Sequence, residues 1–362
     1  MRARAVVSEA ARNLATGTTR AAGLALAFAA VVGALGFADV RAAVDVLRGA
    51  AQFRASGSAV QVVTVDEGID GARCHALNQA TGVVAAGALR RADPVRALVM
   101  PSAQLTVWEG TPGVVDLLAD VGTDLRAGDA GTVGPGLWFS RDLAATLGAR
   151  PGHDVATSTG AAVAAGVFSW PDDGRARTLG YAALAPAAPT GTFDQCWVQV
   201  WPADADTTGL VHLALEPDKA GEATVGRLNT ALGATYDTPA LLADRPTALA
   251  PVAAASVGLA LGFLAVRTRR LEVASALHAR VPKPHLAWQH ALEAVAWTAA
   301  GLAVAAAPLA YAATSQNPDP AGWAFLLGAR TLLAGAACVL LGALLGVATT
   351  RERHLFRYFK NR

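Results

Sequence analysis

The chain has 362 residues, 53% of them hydrophobic and only 16% charged, with a formal net charge of +2. So small a charge excludes a nucleic-acid binder, because phosphate contacts need a concentrated basic face. A mean hydropathy of +0.36, with the charges crowded outside a few long runs, excludes a disordered or collagen-like chain and marks a membrane protein carrying a soluble domain.

The chain opens MRARAVVSEAARNLATGTTR. Ala3, Val7, Ala10 or Ala11 and Leu14 recur at helical spacing among Arg2, Arg4, Glu9 and Arg12, which predicts an amphipathic helix within residues 1–20 on the cytoplasmic face. The apolar run 21–38 follows. It reads as the first transmembrane helix; the alternative is a secretory signal cleaved near Ala38, for which a 20-residue amphipathic lead is long.

Residues 39–248 contain no spanning run and number 210, enough for one large or two small domains. The opening DVRAAVDVLRGAAQF can continue the first span. Strand-like pieces then lie at 59–65, 81–89, 96–100 and 103–109, with helical candidates at 69–79 and 112–120, so an α+β or α/β extracytoplasmic domain is expected. Within LWFSRDLAATLGARPGHDVATSTGAAVAAGVFSWP, residues 137–171, Ser140 suits an N-cap, Gly148 a C-cap and Pro151-Gly152 a turn. Asp172-Asp173 beside Gly174 reads as a turn rather than a calcium loop or hydrolytic dyad. Cys74 and Cys196 both fall in this domain, where an even pair suits a disulfide, two buried free thiols being the alternative. Cys338 falls in the last span, and no CxxC or Cys/His cluster points to zinc.

The uncharged run 249–266 is the second transmembrane helix. A basic hinge, 267–293, follows, then the run 294–313 as the third; runs of about 18 residues or more cross the hydrocarbon as helices. Arg267, Arg269, Arg270, Arg280 and Lys283 place the hinge in the cytoplasm. Glu272 and Glu293 stand at its ends, where a carboxylate meets headgroups, arginines or another subunit, and no carboxylate inside a span suggests a proton relay. His278, His285 and His290 lie seven and five residues apart, off a common helix face, which predicts solvated or headgroup-facing rings and no metal. A link, 314–330, lacks Lys and Arg until Arg330 at the outer end of the fourth helix, 331–348. The tail 349–362, with Arg351, Arg353, Arg357, Lys360 and Arg362, returns both termini to the cytoplasmic side of a multi-pass cell membrane protein. Gly258 and Gly262, and Gly342 and Gly346, form GxxxG pairs for close helix packing, with a partner interface as the alternative use, and Trp288, Trp297 and Trp323 read as interfacial anchors.

Two stretches resemble a known family. RRLEVASALHARV followed by HLAWQHALEAVAW is similar to the cytoplasmic hinge of FtsX-like permeases, the membrane subunits of MacB-type ABC transporters. There a basic pair precedes Glu-apolar-Ala, a coupling helix follows, and a second Glu-Ala opens the next span. Glu272, Ala274, Glu293 and Ala294 fit that pattern, while Arg280 stands where the family usually has glycine. The segment 137–171 resembles the MacB-like periplasmic core. The resemblance implies an α-helical membrane protein of four transmembrane helices with a large α+β, MacB-like extracytoplasmic domain between helices 1 and 2. It implies a non-catalytic subunit, paired with a second permease copy or a related chain in the lipid. A separate ABC ATPase, which holds the ATP and Mg, would be coupled through Glu272, Ala274, Leu277, His278, Arg280 and Val281.

The residues agree on one point independently. The lysines, Lys219, Lys283 and Lys360, follow Asp, Pro and Phe, so no P-loop exists, and HExxH, GxSxG and GxGxxG are missing too. Ala274, Leu277 and Val281, at spacings of three and four, form one apolar stripe expected to face a groove of the ATPase. A second functional class stays open: an ATP-independent membrane-anchored sensor or scaffold with an extracytoplasmic binding domain. Arginine exceeds lysine 27 to 3, as in GC-rich bacteria.

Overall fold

The computed structural model describes residues 3–127, 136–202 and 208–352. Two compact units emerge, Met1–Arg48 with Pro239–Arg362, and Gly49–Thr238. Arg2 and the tail residues Arg353, Arg357, Lys360 and Arg362 lie outside the described residues.

The Gly49–Thr238 unit is a mixed sheet with helices packed on it. Its strands are β1 (Val60–Asp70), β2 (Val83–Arg91), β5 (Val107–Gly110), β6 (Leu125–Ala127), β7 (Leu137–Ser140), β8 (Asp154–Thr157), β9 (Gly160–Phe168), β10 (Ala183–Pro186), β11 (Thr192–Val200) and β12 (Thr224–Arg227). They run in the order β12-β1-β11-β2-β5-β10-β7-β9-β6, with β8 on β9, and β3 (Val95–Arg96) pairs separately with β4 (Gln104–Leu105). Pairing is antiparallel except for β5 with β10 and β7 with β9.

Because successive strand residues point to opposite faces, the strands feed more than one core. One contains Leu89, Trp108, Val114, Leu117, Trp138 and Trp197; another contains Val63, Ile69, Phe193, Val198 and the bonded pair Cys74–Cys196; a further one contains Leu105, Val107, Phe139, Leu143 and Val155. The disulfide joins α3 (Gly71–Ala76) to β11 across a Cα–Cα distance of 6.0 Å. Helix α4 (Pro112–Asp120) has the bounds the sequence predicts, with proline in its first turn. The expected helix 69–79 shortens to α3 plus a 3-10 turn, because β1 runs on to Asp70, whose carboxylate caps α3 by accepting from the Ala72 and Arg73 amides. Of the expected strand 96–100 only Arg96 falls in β3, with Ala97 in an isolated bridge to Thr157, since the chain turns where the Met100 amide donates to Ala97. Before α5 (Arg141–Leu147), Ser140 stands at the N-cap position, but its hydroxyl accepts from the Ala182 amide instead of capping. Gly148 closes α5 at φ 64°.

The turn at Asp172-Asp173 does more than reverse the chain. Asp173 holds Arg175, which is buried, reaches the carbonyls of Ala55 and Val121 and stacks on Trp170. Burial opposes the charged form of the Asp173 carboxyl, but hydrogen bonding and charge from Arg175 prevail and lower its pKa below 3.8.

Among its described residues the other unit contains four helices long and apolar enough to cross a membrane: α2 (Ala21–Ala55), whose last turns belong to the sheet unit, α8 (Ala250–Arg267), α10 (Lys283–Thr314) and α11 (Ala321–Thr349). With them are α1 (Ala3–Ala15), α7 (Thr238–Ala243) and α9 (Arg270–His278). Helices α10 and α11 begin well before their uncharged runs. Pro282 and Pro320, extended at the N-caps, pre-organise the first turns, so the link after α10 spans only 315–320, and Arg330 lies inside α11 rather than at its end. Trp297 is buried edge-on against Phe28, so of the three tryptophans expected at interfaces only Trp288 and Trp323 are exposed.

The GxxxG pairs pack against each other within the chain. A Cβ on Gly258 would fall 2.1 Å from the Gly335 carbonyl oxygen, one on Gly262 2.0 Å from that of Val339, and one on Gly342 2.1 Å from that of Leu259. On Gly346 it would meet the Val266 side chain at 2.8 Å. In this seam of α8 and α11 the glycine faces meet the same chain, so they are not open to the partner interface given above as the alternative to packing within the chain.

Candidate functional site

After α8 ends at Arg267, two residues lead into α9, a helix of nine residues. The chain leaves α9 through Arg280 at φ 62°, the left-handed conformation in which glycine is commonest. This is the backbone reason a glycine suits the position, and Arg280 occupies it at some strain.

The expected apolar stripe faces the other way. Ala274 is fully buried with Val273, and Leu277 and Val281 are half-buried against Val266, Leu286, Ala294 and Val347 of the chain's own helices. Val281 also lies beyond the end of α9. The stripe therefore seats α9 on the chain's own helices. The outward face is Glu272, Ser275, His278, Ala279 and Arg280. Of these, Glu272 accepts from Arg269 Nε at 2.8 Å, and His278 Nδ1 lies 2.9 Å from Glu352 Oε1.

Beneath α9 lies a buried polar centre that the spacing of residues does not reveal. Glu293, 2% exposed, takes Arg269 Nη1 at 2.5 Å and Asn13 Nδ2 at 2.7 Å, with His290 Nδ1 at 3.5 Å. A carboxylate removed from water needs such partners, and three separate elements supply them. Glu293 thus meets arginine, one of the three expected contacts, and His290 is buried rather than solvated. Asn13 arrives on α1, which rests on Val6 and Ala10; of the expected apolar face Ala10 is buried and Leu14 half-buried, while Val7 is exposed. A cleft of about 250 Å³ remains between α1, α9 and α10, lined by Val6, Asn13, Val273, Ala276 and Gln289 among others.

A second carboxylate, Asp39, is fully buried and pairs with Arg245; the sequence reading ends the first span at residue 38, whereas α2 runs on through Asp39. Among the described residues no group of His, Cys, Asp and Glu has the arrangement of a metal site.

The structure is similar to the crystal structure of the periplasmic region of MacB from Actinobacillus actinomycetemcomitans, at 10% identity over 48% of this chain and 91% of that one, with a TM-score of 0.37. It is similar also to a domain of a protein described as a permease from Porphyromonas gingivalis, at 13% identity over 48% and 90% of the two chains, with a TM-score of 0.34. No family model and no curated protein matches the sequence.

Proposed function

We propose that this chain is the membrane subunit of an ABC transporter of the MacB and FtsX-like kind, and that the α9 hinge is the dock for a separate ATPase subunit. The observation that carries this reading is the hinge itself. A short helix joins two membrane-length helices, is seated inwards through Val273, Ala274 and the Arg269–Glu293 pair, and turns Glu272, Ser275, His278 and Ala279 outwards. A chain without a P-loop would receive the energy of ATP through a contact, and a firmly seated helix with an exposed face suits that task. The ATPase would hold ATP and Mg on the cytoplasmic side, with both termini there, and a second permease copy or a related chain would complete the assembly in the cell membrane. Movement of α9 would then be carried to residues 49–238 for work on the extracytoplasmic side, such as peptide or lipoprotein export or control of an envelope protein.

The test is purification of the tagged chain from its native membranes, followed by identification of bound proteins and measurement of ATP hydrolysis. The wild type is expected to retain an ABC ATPase. Ser275→Lys with Ala279→Lys, on the outward face, is expected to insert normally and lose it. Full recovery of the wild-type chain with no ATP-hydrolysing partner would favour the sensor or scaffold.

A further inference from the structure

Helix α8 is gripped at both ends in the same way. Ahead of it, Arg245 donates through Nε to Asp39 Oδ1 at 2.8 Å, and Asp39 Oδ2 takes Thr331 Oγ1 of α11 at 3.4 Å. Behind it, Arg269 donates to Glu293 at 2.5 Å. Both arginines are about nine-tenths buried and both carboxylates almost wholly so. Each arginine belongs to the irregular chain next to α8, whereas the carboxylates belong to two other helices, α2 and α10.

Between the clamps, α8 runs 18 residues, about 27 Å at ~1.5 Å per residue. It carries no charge before Arg267. Its seam with α11 is made by glycines meeting backbone, which brings the two helices close with few protruding side chains to interlock. Such a seam holds the helices side by side, while the directional bonds at the ends fix where α8 lies along its axis. Buried ion pairs contribute little net stability over apolar packing, but they specify one arrangement, because a displaced partner leaves a charge unpaired.

We infer that Arg245 and Arg269 are positioning residues that hold α8 as a rod between Glu293 and Asp39, so that a shift of the α9 hinge is delivered to α2 at Asp39. This deepens the docking reading and rests on it for its purpose, but the mechanical link is a property of the chain alone.

It is tested on the purified full chain in lipid nanodiscs, without any ATPase, by amide hydrogen exchange. Asp39→Asn cuts the clamp far from α9. Exchange across residues 270–278 is expected to rise about tenfold, with α4 of the sheet unit unchanged, and adding Glu293→Gln is expected to give less than the product of the two single effects. Thr331→Val, which removes one bond from Asp39 and leaves Arg245 in place, is expected to raise α9 exchange two- to threefold and decides the matter if Asp39→Asn does not fold. Unaltered α9 exchange in a folded Asp39→Asn or in Thr331→Val would overturn the inference, as would a rise that includes α4 equally. A missing ATPase would leave this result standing, and a failure here would leave the dock standing.

Discussion

At the centre of the sheet unit lie Phe139, Phe168, Phe193 and Trp197, all nearly free of solvent, whereas the tightest seam of the helical unit runs through Gly258, Gly262 and Gly342. The first arrangement is what water selects, since large apolar side chains gain most by leaving it. In lipid that gain between helices vanishes, so close backbone approach and polar bonds set the packing instead. The same contrast governs covalent and ionic ties: the sheet unit is closed by Cys74–Cys196, and the helical unit by Asp39–Arg245 and Glu293–Arg269. In the helical unit, then, buried charge marks position, as large apolar side chains do in the sheet unit.

The contrast is broken most severely by removing one tie from each unit. Cys74→Ser with Cys196→Ser opens a closure spanning 122 residues and should destabilise the sheet unit by about 3–5 kcal/mol, leaving exchange in α8–α11 unaltered. Arg269→Ala strands the buried Glu293 and should cost the helical unit about 3–5 kcal/mol, with protease cleavage appearing in 268–282 and the sheet unit intact. Gly262→Val comes next. Its side chain must part α8 from α11, at about 1–3 kcal/mol or more, and a lowered thermal midpoint in detergent would be the sign. The smallest effect has the opposite sign: Arg280→Gly relieves the left-handed residue at about 1–2 kcal/mol and gives back about 0.5–1 kcal/mol of chain entropy, a net gain of roughly 0.5 kcal/mol read as slower α9 exchange.

Much of this architecture is legible in the residues. Uncharged runs locate the membrane helices because length and apolarity decide that outcome alone, and α4 is recovered to the residue because Pro112 and its apolar spacing agree. What escapes are pairings across long stretches of chain. Asn13 and Glu293 stand 280 positions apart, and Arg245 and Asp39 206 apart, so no window of sequence contains either contact. The stripe Ala274, Leu277 and Val281 was legible as apolar but not by direction: periodicity shows that a face is buried and leaves open whether the same chain or a partner buries it. Arg175 was hidden inside a plain turn signal, since Asp-Asp-Gly predicts the bend and says nothing of the guanidinium that the bend positions.

The outward face of α9 is where an ATPase partner would touch the chain. A photo-crosslinking residue placed at Ala279, exposed and away from the Glu293 centre, should on irradiation of native membranes join the chain to an ABC ATPase subunit, identified by mass spectrometry, while the same residue at the exposed Val163 of β9 should not. Crosslinks from Ala279 to lipid alone, with no ATP-binding protein captured in membranes where the chain is active, would contradict it.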